Sequence, residues 1–368
     1  MKRKAIYSGS FDPFTIGHLW IVQQGSKMVD ELIVVIGDNS SKKHTFTLEE
    51  RTSLVIESVK DYSNVKVMQS TGQYLVSLAK DLGVEYLVRG IRNEIDYLEE
   101  KEMRYINSQL NSKIETIFLI PPKHLLEVSS STLKQLVGPP GWEKVIAEYV
   151  EGPVHSKMLF HGLIERFSLF WSTLSEEPEI AKLKAPEVLA TLIKYYIGSD
   201  RHYHNISHIL DCVNELQSFK LENIDHYKLF VALWFHDVIY DTRKNDNEQE
   251  SANLFVKFAI ESRMKDEHIN EIVGMILATK SHIGKTELEE YLLDIDLSIL
   301  GQDKESLDRY DSNIRKEYSW VPDTEYNTAR NKIMNNFYAR TYIFKTKSFA
   351  DKYEKKAKEY LKKFKISS

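Results

Sequence analysis

The feature that most constrains the fold is the segment at residues 8–18, SGSFDPFTIGH, where a short apolar run ends and a helical pattern begins. Gly9 allows the backbone to approach a ligand closely. Thr15 and His18 would lie beside the free N–H groups of a helix start, where the helix dipole favours an anion. The segment therefore predicts a strand, a tight turn and a helix, with a nucleotide phosphate bound at the turn. The alternative is a simple connecting turn, with His18 as an ordinary surface histidine.

Apolar runs typical of buried strands alternate with helical patterns through the first part of the chain. These runs occupy residues 5–7, 32–36, 65–67, 86–88 and 116–120. The alternation predicts an α/β fold, a doubly wound parallel sheet, in which ligands bind beyond the carboxyl ends of the strands. Residues 8–10 and Arg89 directly follow predicted strands, so we expect them to meet at one edge of the sheet.

The second half of the chain is predicted to be a separate domain. At 368 residues the chain exceeds the length at which one core usually stops growing. The sequence Glu151-Gly-Pro153 breaks the alternation, and helical periodicity dominates after it. We expect domains at residues 1–152 and 153–368, the second being all-α. Its predicted helices are residues 159–174, 186–196, 208–216, 228–240, 248–260, 269–279 and 350–364.

Composition limits the classes of partner and the compartment. The formal net charge of −5 argues against a dedicated nucleic-acid binder, which usually carries a basic excess. Cys212 is the only cysteine, so an intrachain disulfide is impossible and a reducing, cytoplasmic location is expected. No apolar run approaches the ~20 residues that a membrane span requires. We therefore expect no membrane association.

Four motifs in the first part of the chain occur in the order typical of one enzyme family. They are GSFDPFTIGH at residues 9–18, SKKHTFTLEER at 41–51, RGIR with Asp96 at 89–96, and SSSTLK at 129–134. Over about residues 1–137 they resemble the nucleotidyltransferase superfamily, and within it bacterial phosphopantetheine adenylyltransferase most closely. The resemblance implies a Rossmann-like nucleotidyltransferase domain. Its implied reaction transfers adenylyl from ATP to 4′-phosphopantetheine, giving dephospho-coenzyme A and pyrophosphate.

The same resemblance implies roles for individual residues. His18 would stabilise the transition state at the α-phosphate of ATP. Ser10 and Lys42 would hold the acceptor phosphate. Arg89 and Arg92 would contact the acceptor and the ATP phosphates. The remaining implied ATP and substrate contacts are Phe11, Gly17, Ser129, Ser130 and Ser131. Mg²⁺ is expected with ATP, and the family implies a homohexamer.

This sequence departs from the family pattern at two positions in the first motif. Ser10 stands where the family usually has Thr, which keeps the hydroxyl, and Ser8 stands where it usually has Pro. Members of the superfamily share the ATP site and use different acceptors, so the departures affect the acceptor more than the adenylyl transfer. Another small phosphorylated acceptor therefore remains an alternative.

Histidine and aspartate residues in the helical half have a pattern typical of a metal site. His204 and His208 are four residues apart, on one face if helical. An apolar run ends in the adjacent pair His236 and Asp237, which is costly to bury without a compensating charge. Asp296 lies in another apolar stretch. A lone histidine on an apolar helix is more often a satisfied core residue than a ligand. The ordered series, however, resembles the HD superfamily of metal-dependent phosphohydrolases over about residues 157–345.

That second resemblance implies that His208, His236, Asp237 and Asp296 bind a divalent metal whose identity is open. The segment YHNISH at residues 203–208 resembles cyclic-nucleotide phosphodiesterases, in which the first histidine protonates the leaving oxygen, and this implies the same role for His204. The substrate would be a phosphorylated small molecule. Further candidates for phosphate contacts are Asn247, Glu248, Lys280, His282, Arg315 and Lys316. The alternative is a non-catalytic binding or assembly module.

Overall fold

A computed structural model describes residues 2–38, 43–70, 72–137, 142–218, 221 and 223–364. The chain forms two compact units, Met1–Gly162 and Leu163–Ser368, each with its own apolar core. Ser41 and Lys42 of the second motif lie outside the described residues. In the described part of the chain, no helix is long and apolar enough to cross a lipid bilayer.

The first unit contains a parallel five-stranded sheet with the strand order β3-β2-β1-β4-β5. The strands are β1 Lys4–Gly9, β2 Glu31–Gly37, β3 Val65–Ser70, β4 Tyr86–Gly90 and β5 Glu115–Leu119. The helices are α1 Ile16–Met28, α2 Leu48–Val59, α3 Leu75–Asp81, α4 Glu94–Leu110, α5 Ser130–Leu136 and α6 Trp142–Ile146, with a 3-10 turn at Lys123–Leu125. The predicted parallel α/β sheet is thereby confirmed, and each of its five strands lies at the predicted place.

The central strands β1 and β2 are buried on both faces, which explains why each contains a continuous apolar run. Along β1, Ala5 and Tyr7 belong to one core cluster and Ile6 to the other, as the alternation of side chains in a strand requires. Helices α1 and α2 begin at capping boxes. The hydroxyl of Thr15 or Thr47 accepts the backbone N–H of the residue three positions later, and the side chain of that residue accepts the backbone N–H of the threonine.

The second unit is mostly helical. After α7 Gly152–Thr173, which crosses the division between the units, it contains α8 Pro178–Tyr196, α9 Ile206–Gln217, α10 Asn223–Phe235, α11 Asn247–Glu261, α12 Asp266–Ala278, α13 Glu287–Asp296, α14 Lys304–Glu317, α15 Asp323–Ala339 and α16 Lys347–Leu361. A short 3-10 turn at Leu297–Gly301 follows α13, and another at Lys362–Phe364 follows α16. Helices α13, α14 and α15 were not predicted, because their sequences are rich in charged and polar residues.

Two helix boundaries differ from the prediction in ways that matter for function. Helix α10 ends at Phe235 and not at Tyr240, so His236 and Asp237 lie in the turn after the helix. Helix α9 begins at Ile206 with Asn205 as its cap, so His204 precedes the helix. The condition under which His204 and His208 would share one helical face is therefore not met, because only His208 lies in the helix. The asparagine side chain accepts the N–H of Ser207, which fixes the helix start at that point.

The division between the units lies inside α7, whereas the sequence pattern changes at the start of that helix. Val154 and Met158 are fully buried in the core of the first unit. Gly162 packs on Trp142 so closely that a Cβ would lie 2.5 Å from Cη2 of the indole. Leu163 and Phe167 belong to the core of the second unit. The place where alternating strand and helix patterns give way to helical periodicity marks the start of α7. The first turns of α7 still belong to the core of the first unit.

This packing predicts that a fragment of residues 1–162 is more stable than a fragment of residues 1–152. The shorter fragment loses the burial of Val154 and Met158, worth about 3–6 kcal/mol together. We expect its thermal unfolding, followed by circular dichroism, to occur at a clearly lower temperature or to lose cooperativity. The 1–162 fragment carrying Ser156→Ala, at an exposed position of the same helix, serves as the control and should melt as the parent fragment does.

Candidate active sites

The first candidate site is a cavity of about 330 Å³ in the first unit. It lies where β1 and β4 end, at the edge of the sheet where the sequence motifs were expected to meet. Its lining includes the predicted residues Ser10, Phe11, Gly17, His18, Arg89, Arg92, Ser129, Ser130 and Ser131. Lys42, the other predicted site residue of this unit, lies outside the described residues. Three of the four motifs thus contribute described residues to a single cavity.

His18 is held in one orientation and one tautomer by the start of α1. The backbone N–H of Thr15 donates to Nδ1 of His18 at 3.0 Å, so Nδ1 is an acceptor and the proton of the neutral ring lies on Nε2. The ring packs between Phe11 and Phe14, with centroid distances of 5.2 and 5.6 Å. Burial, with a smaller contribution from the positive charge of Arg92, lowers the pKa of His18 to about 4. His18 is therefore a neutral hydrogen-bond donor at the cavity wall.

Two arginines supply positive charge to the same cavity. Arg89 donates to the carbonyl of Ser8 at 2.8 Å and pairs with Glu100 at 3.2 Å. Arg92 forms a two-point hydrogen bond with Asp96, at 2.8 and 3.1 Å. This pair explains why Asp96 belongs to the RGIR motif, since the carboxylate orients the guanidinium. The arrangement suits a ligand with several phosphate oxygens.

The serine motif forms another part of the cavity wall at the start of α5. Ser129 caps the helix, its Oγ accepting the N–H of Thr132 at 3.0 Å. Ser130 donates its hydroxyl to the carbonyl of Pro13 at 2.8 Å, which ties the serine motif to the first motif. Ser131 lines the cavity beside them. The serine motif thus caps a helix and holds the first motif in place, and it also lines the cavity.

Sequence reasoning missed the residues that hold the loops of this site together. Asp12 is buried and accepts hydrogen bonds from the backbone N–H groups of Thr45 and Phe46 and from Nζ of Lys134. Burial alone would raise the pKa of Asp12, but these hydrogen bonds outweigh it and hold the pKa below its usual value. The signal was present, because Asp12 and Lys134 both lie inside the quoted motifs.

Arg51, the last residue of the second motif, has a similar structural role. Its side chain is fully buried and donates to the carbonyls of Ser10, Gly37 and Phe46 at 2.8–3.2 Å, and to Asp38 at 3.0 Å. One guanidinium therefore fixes the chain where both β1 and β2 end. Its five donors in a planar fork make this possible, and a lysine could not replace them.

The second candidate site is a cluster of two imidazoles and two carboxylates in the second unit. His208 on α9, His236 and Asp237 after α10, and Asp296 at the end of α13 each offer one ligand atom, and these atoms lie within 4.8 Å of one another. The four residues are those predicted from the sequence, and three separate elements bring them together. Asp294, two residues before Asp296, instead accepts hydrogen bonds from Lys345 and Thr346.

The spacing of this cluster fits a divalent transition metal. Ligands at about 2.1 Å from one ion are separated by roughly 3.0–3.4 Å in octahedral or tetrahedral geometry. Three of the observed separations lie in this range, 3.0 Å for His236 to Asp237, 3.3 Å for His208 to Asp296 and 3.4 Å between the two imidazoles. Two others are wider, 3.6 Å for His236 to Asp296 and 3.8 Å for His208 to Asp237. Nδ1 of His236 donates to the carbonyl of Leu233 at 2.8 Å, which leaves Nε2 free to act as a ligand.

His204 lies beside this cluster and is oriented by a residue that sequence reasoning missed. Its Nδ1 lies 2.7 Å from Glu317 Oε2, and its Nε2 lies 4.0 Å from Asp237. The ring stacks on Tyr240 with a centroid distance of 4.0 Å. The same glutamate accepts the backbone N–H groups of His202, Tyr203 and His204. Burial opposes ionisation of Glu317, but the bonds from His204 and the backbone outweigh it and lower its pKa.

A buried arginine fixes the chain on which these residues lie. Arg201 donates to the carbonyls of His204, Asp237 and Val238 at 3.0, 2.6 and 2.6 Å. No local pattern in the sequence singles it out, because its partners are main-chain carbonyls up to 37 residues away. The site therefore depends on contacts between distant parts of the chain.

The other residues considered as phosphate contacts have different positions. His282 approaches the cluster, with Nε2 3.6 Å from Asp296. Arg315 is paired with Asp323 and donates to nearby carbonyls, and Lys280 donates to the carbonyl of Asn245. Asn247 hydrogen-bonds Asp241. Of these candidates, only His282 is placed beside the cluster by a described contact.

Comparisons with known proteins match the first unit. A cytidylyltransferase-like family model matches residues 6–136. A phosphopantetheine adenylyltransferase of Chromobacterium violaceum is 47% identical over 157 residues, which are 43% of this chain and 96% of the relative. The Neisseria meningitidis serogroup C enzyme of the same name is 45% identical over 157 residues, covering 43% of this chain and 92% of that relative. A solved Plasmodium falciparum nicotinic acid mononucleotide adenylyltransferase complexed with NaAD aligns with 44% of this chain and 97% of its own, at 18% identity and a TM-score of 0.36.

Proposed function

Because this chain belongs to the phosphopantetheine adenylyltransferase family through its N-terminal 157 residues, we propose that the first unit transfers adenylyl from ATP to 4′-phosphopantetheine. The products are dephospho-coenzyme A and pyrophosphate. The observation that carries the proposal is that described residues of three family motifs line one cavity, with a neutral Nε2–H donor and two arginines. Mg²⁺ is proposed to accompany the triphosphate, where it neutralises phosphate charge.

The proposed reaction needs positioning and charge stabilisation more than it needs a reactive side chain. An oxygen of the acceptor phosphate attacks the α-phosphorus, and the bond to pyrophosphate breaks. Nε2–H of His18 donates to an α-phosphate oxygen as charge develops there. Arg89 and Arg92 hold the remaining phosphates in line. Ser10 and Lys42 are proposed to bind the acceptor phosphate.

An assay of both products tests the acceptor. The purified chain is supplied with Mg·ATP and 4′-phosphopantetheine, and dephospho-coenzyme A and pyrophosphate are measured together. We expect equal amounts of the two. Nicotinic acid mononucleotide serves as the competing acceptor. A higher kcat/KM with that acceptor would assign the adenylyl transfer to a different substrate.

We also propose that the chain forms homo-oligomers through an apolar face of α4. Ile95, Leu98, Ile106 and Leu110 recur at helical spacing along this helix, and each side chain is about half or more exposed. A solvated helix rarely presents such a face. Leu98→Glu with Leu110→Glu is expected to lower the mass measured by light scattering to that of a smaller assembly. Ile56→Glu, at an exposed apolar position on α2, is the control and should not change the mass.

For the second unit we propose a metal-dependent phosphohydrolase of the HD type. The observation that carries this proposal is the convergence of His208, His236, Asp237 and Asp296 at ligand spacing, beside an oriented histidine. Such a donor set suits Mn²⁺, Fe²⁺, Co²⁺ or Mg²⁺. When bound, the cation would supply a Lewis acid for the phosphate and acidify water. His204 would give its proton on Nε2 to the leaving oxygen, and Glu317 would stabilise the charge on that ring.

The proposed role of His204 predicts that its importance depends on the leaving group. We expect His204→Ala and Glu317→Gln each to lower kcat for ethyl phosphate by about 10²-fold, because an alkoxide needs a proton in order to leave. For 4-nitrophenyl phosphate the loss should be several-fold only, since that phenolate leaves without protonation. Glu317→Gln keeps one carbonyl oxygen to accept the backbone N–H groups, which all bond to a single oxygen of Glu317, and metal content measured by mass spectrometry should be unchanged. Equal losses on both esters would show a structural role instead.

A further inference from the structure

An apolar cavity of about 350 Å³ adjoins the proposed metal cluster in the second unit. Asp296, His204 and His282 form its polar end. Most of the remaining lining comes from the segments that precede and form α15, together with α14 and the Leu297–Gly301 turn, and Tyr203, Tyr240 and Thr242 complete it. A phosphate held at the polar end would therefore direct its organic group into this cavity.

The side chains that line the cavity are mainly aromatic and aliphatic, and two of the large apolar ones are about half exposed. Trp320 and Ile333 are 49% and 50% exposed, which is unusual for large apolar side chains that lie together at a concave surface. The Trp320 indole is held in place, because its Nε1 donates to Thr242 Oγ1 at 2.8 Å. Phe337 lies further in, packed edge-on against His282 with a centroid distance of 5.3 Å. The walls thus present fixed apolar surface to a ligand.

Positive charge is scarce in this cavity. Among the described residues that line it, Arg330 is the only lysine or arginine. Its guanidinium lies 3.3 Å from Asp311 and 4.8 Å from the centroid of the Tyr310 ring. Arg243 and Arg315 pack on the rings of Trp320 and Tyr326, at 5.4 and 4.7 Å, but do not themselves line the cavity. A chain of two or three phosphates needs several cationic partners once the first phosphate is bound. The lining therefore accommodates one phosphate at the polar end and favours an uncharged group elsewhere.

We propose that this cavity selects phosphomonoesters whose alcohol carries an apolar or aromatic group, and that it discriminates against polyphosphates. This inference rests on the proposed phosphohydrolase function. In the reaction, the oxygen of water adds to phosphorus, and the bond between phosphorus and the ester oxygen breaks. The proton from His204 goes to the leaving oxygen. One proton of the attacking water stays on the phosphate, and the other restores His204. The products are inorganic phosphate and the apolar alcohol.

Binding of two non-hydrolysable probes tests the cavity separately from the chemistry. Calorimetry on the full chain compares 1-naphthylphosphonate with methylphosphonate, with and without Mn²⁺. We expect the naphthyl probe to bind at least about tenfold more tightly in both conditions, since its ring buries apolar surface. Ile333→Asn and Trp320→Ala should each reduce that ratio at least about threefold. Leu183→Asn, at an exposed apolar position on α8, is the matched control and should leave the ratio unchanged.

Each outcome has a separate meaning for the cavity and for the metal site. Equal affinity for the two phosphonates, or a naphthyl preference that survives both cavity variants, would overturn the inference. If Mn²⁺ did not raise the affinity for either probe, the result would instead contradict the proposed metal function. The ratio of the two affinities would still test the preference for the naphthyl group.

Turnover provides the second measurement. We expect a kcat/KM for 2-(1-naphthyl)ethyl phosphate at least about tenfold above those for ethyl phosphate and 2-(1-naphthyl)ethyl diphosphate, and because both monoesters release a primary alkoxide, the difference reports the apolar group and not the leaving group. Equal turnover of the diphosphate would overturn the discrimination against polyphosphates.

Discussion

Replacing His18 with alanine is expected to lower kcat for adenylyl transfer by about 10²–10³-fold and to change each KM by only a few-fold. The reason is that Nε2–H is aimed at the cavity by the bond from the Thr15 amide to Nδ1. A donor of this kind contributes mainly as charge develops on the α-phosphate, and losing one such donor usually has an effect of that size. Steady-state kinetics with ATP and 4′-phosphopantetheine varied in turn provide the measurement.

The control and the pH dependence make this prediction specific. His155→Ala changes a histidine of the same unit that does not line the cavity, and its kcat should match that of the unmodified chain. Since the pKa of His18 is about 4 in the folded chain, the ring stays neutral and keeps its Nε2 proton from about pH 8 down to about pH 5. The rate should therefore not fall in this range through protonation of His18. A normal kcat for His18→Ala would remove the residue from the mechanism.

Asp237→Ala is expected to abolish metal retention by the second unit together with its phosphohydrolase activity. Removing partners outside the ligand set commonly lowers metal affinity 10–100-fold, so removing a ligand should lower it by at least about 10²-fold. Asp237 lies 3.0 Å from Nε2 of His236 and contributes one of only two carboxylates in the cluster. Elemental analysis of the purified variant and the shift in melting temperature with added Mn²⁺ measure the loss.

Asp225→Ala is the matched control, since it removes a carboxylate from α10, outside the cluster. It should retain both metal and hydrolysis, and adenylyl transfer should continue in either variant. If the unmodified chain retains no metal and gains no thermal stability from Mn²⁺, Mg²⁺, Fe²⁺ or Co²⁺, the hydrolase proposal fails. A binding or assembly module would then be the better description of the second unit.

The sheet and the first cavity were predictable because their signals are local. Most strands contain a short apolar run, and the motif at residues 8–18 is continuous, so the strand, the helix start and His18 could be read together. The contacts of Arg51 could not be read in that way. Its partners are main-chain carbonyls at Ser10, Gly37 and Phe46, and a carbonyl has no signature in the sequence.

The second site shows the same limit more strongly. The four ligand candidates were recognised from residue type and order, but the geometry around them was not. Glu317 lies 113 residues from His204 and ends a helix whose charged sequence gave no sign of burial. The end of α10 at Phe235 was also missed, because the apolar run continues into Val238 and Ile239. Tertiary contacts, and not periodicity, decide these positions.

Arg51 and Arg201 have a common consequence for the thermodynamics of ligand binding. Each is a buried cation whose partners include main-chain carbonyls of the segments that form a site. The conformational entropy of those segments is therefore lost when the chain folds, and not when a ligand arrives. Little ordering remains to oppose binding, so more of the interaction energy is expressed as affinity. The heat capacity change on binding should accordingly reflect the buried ligand surface, without the additional contribution that accompanies coupled folding.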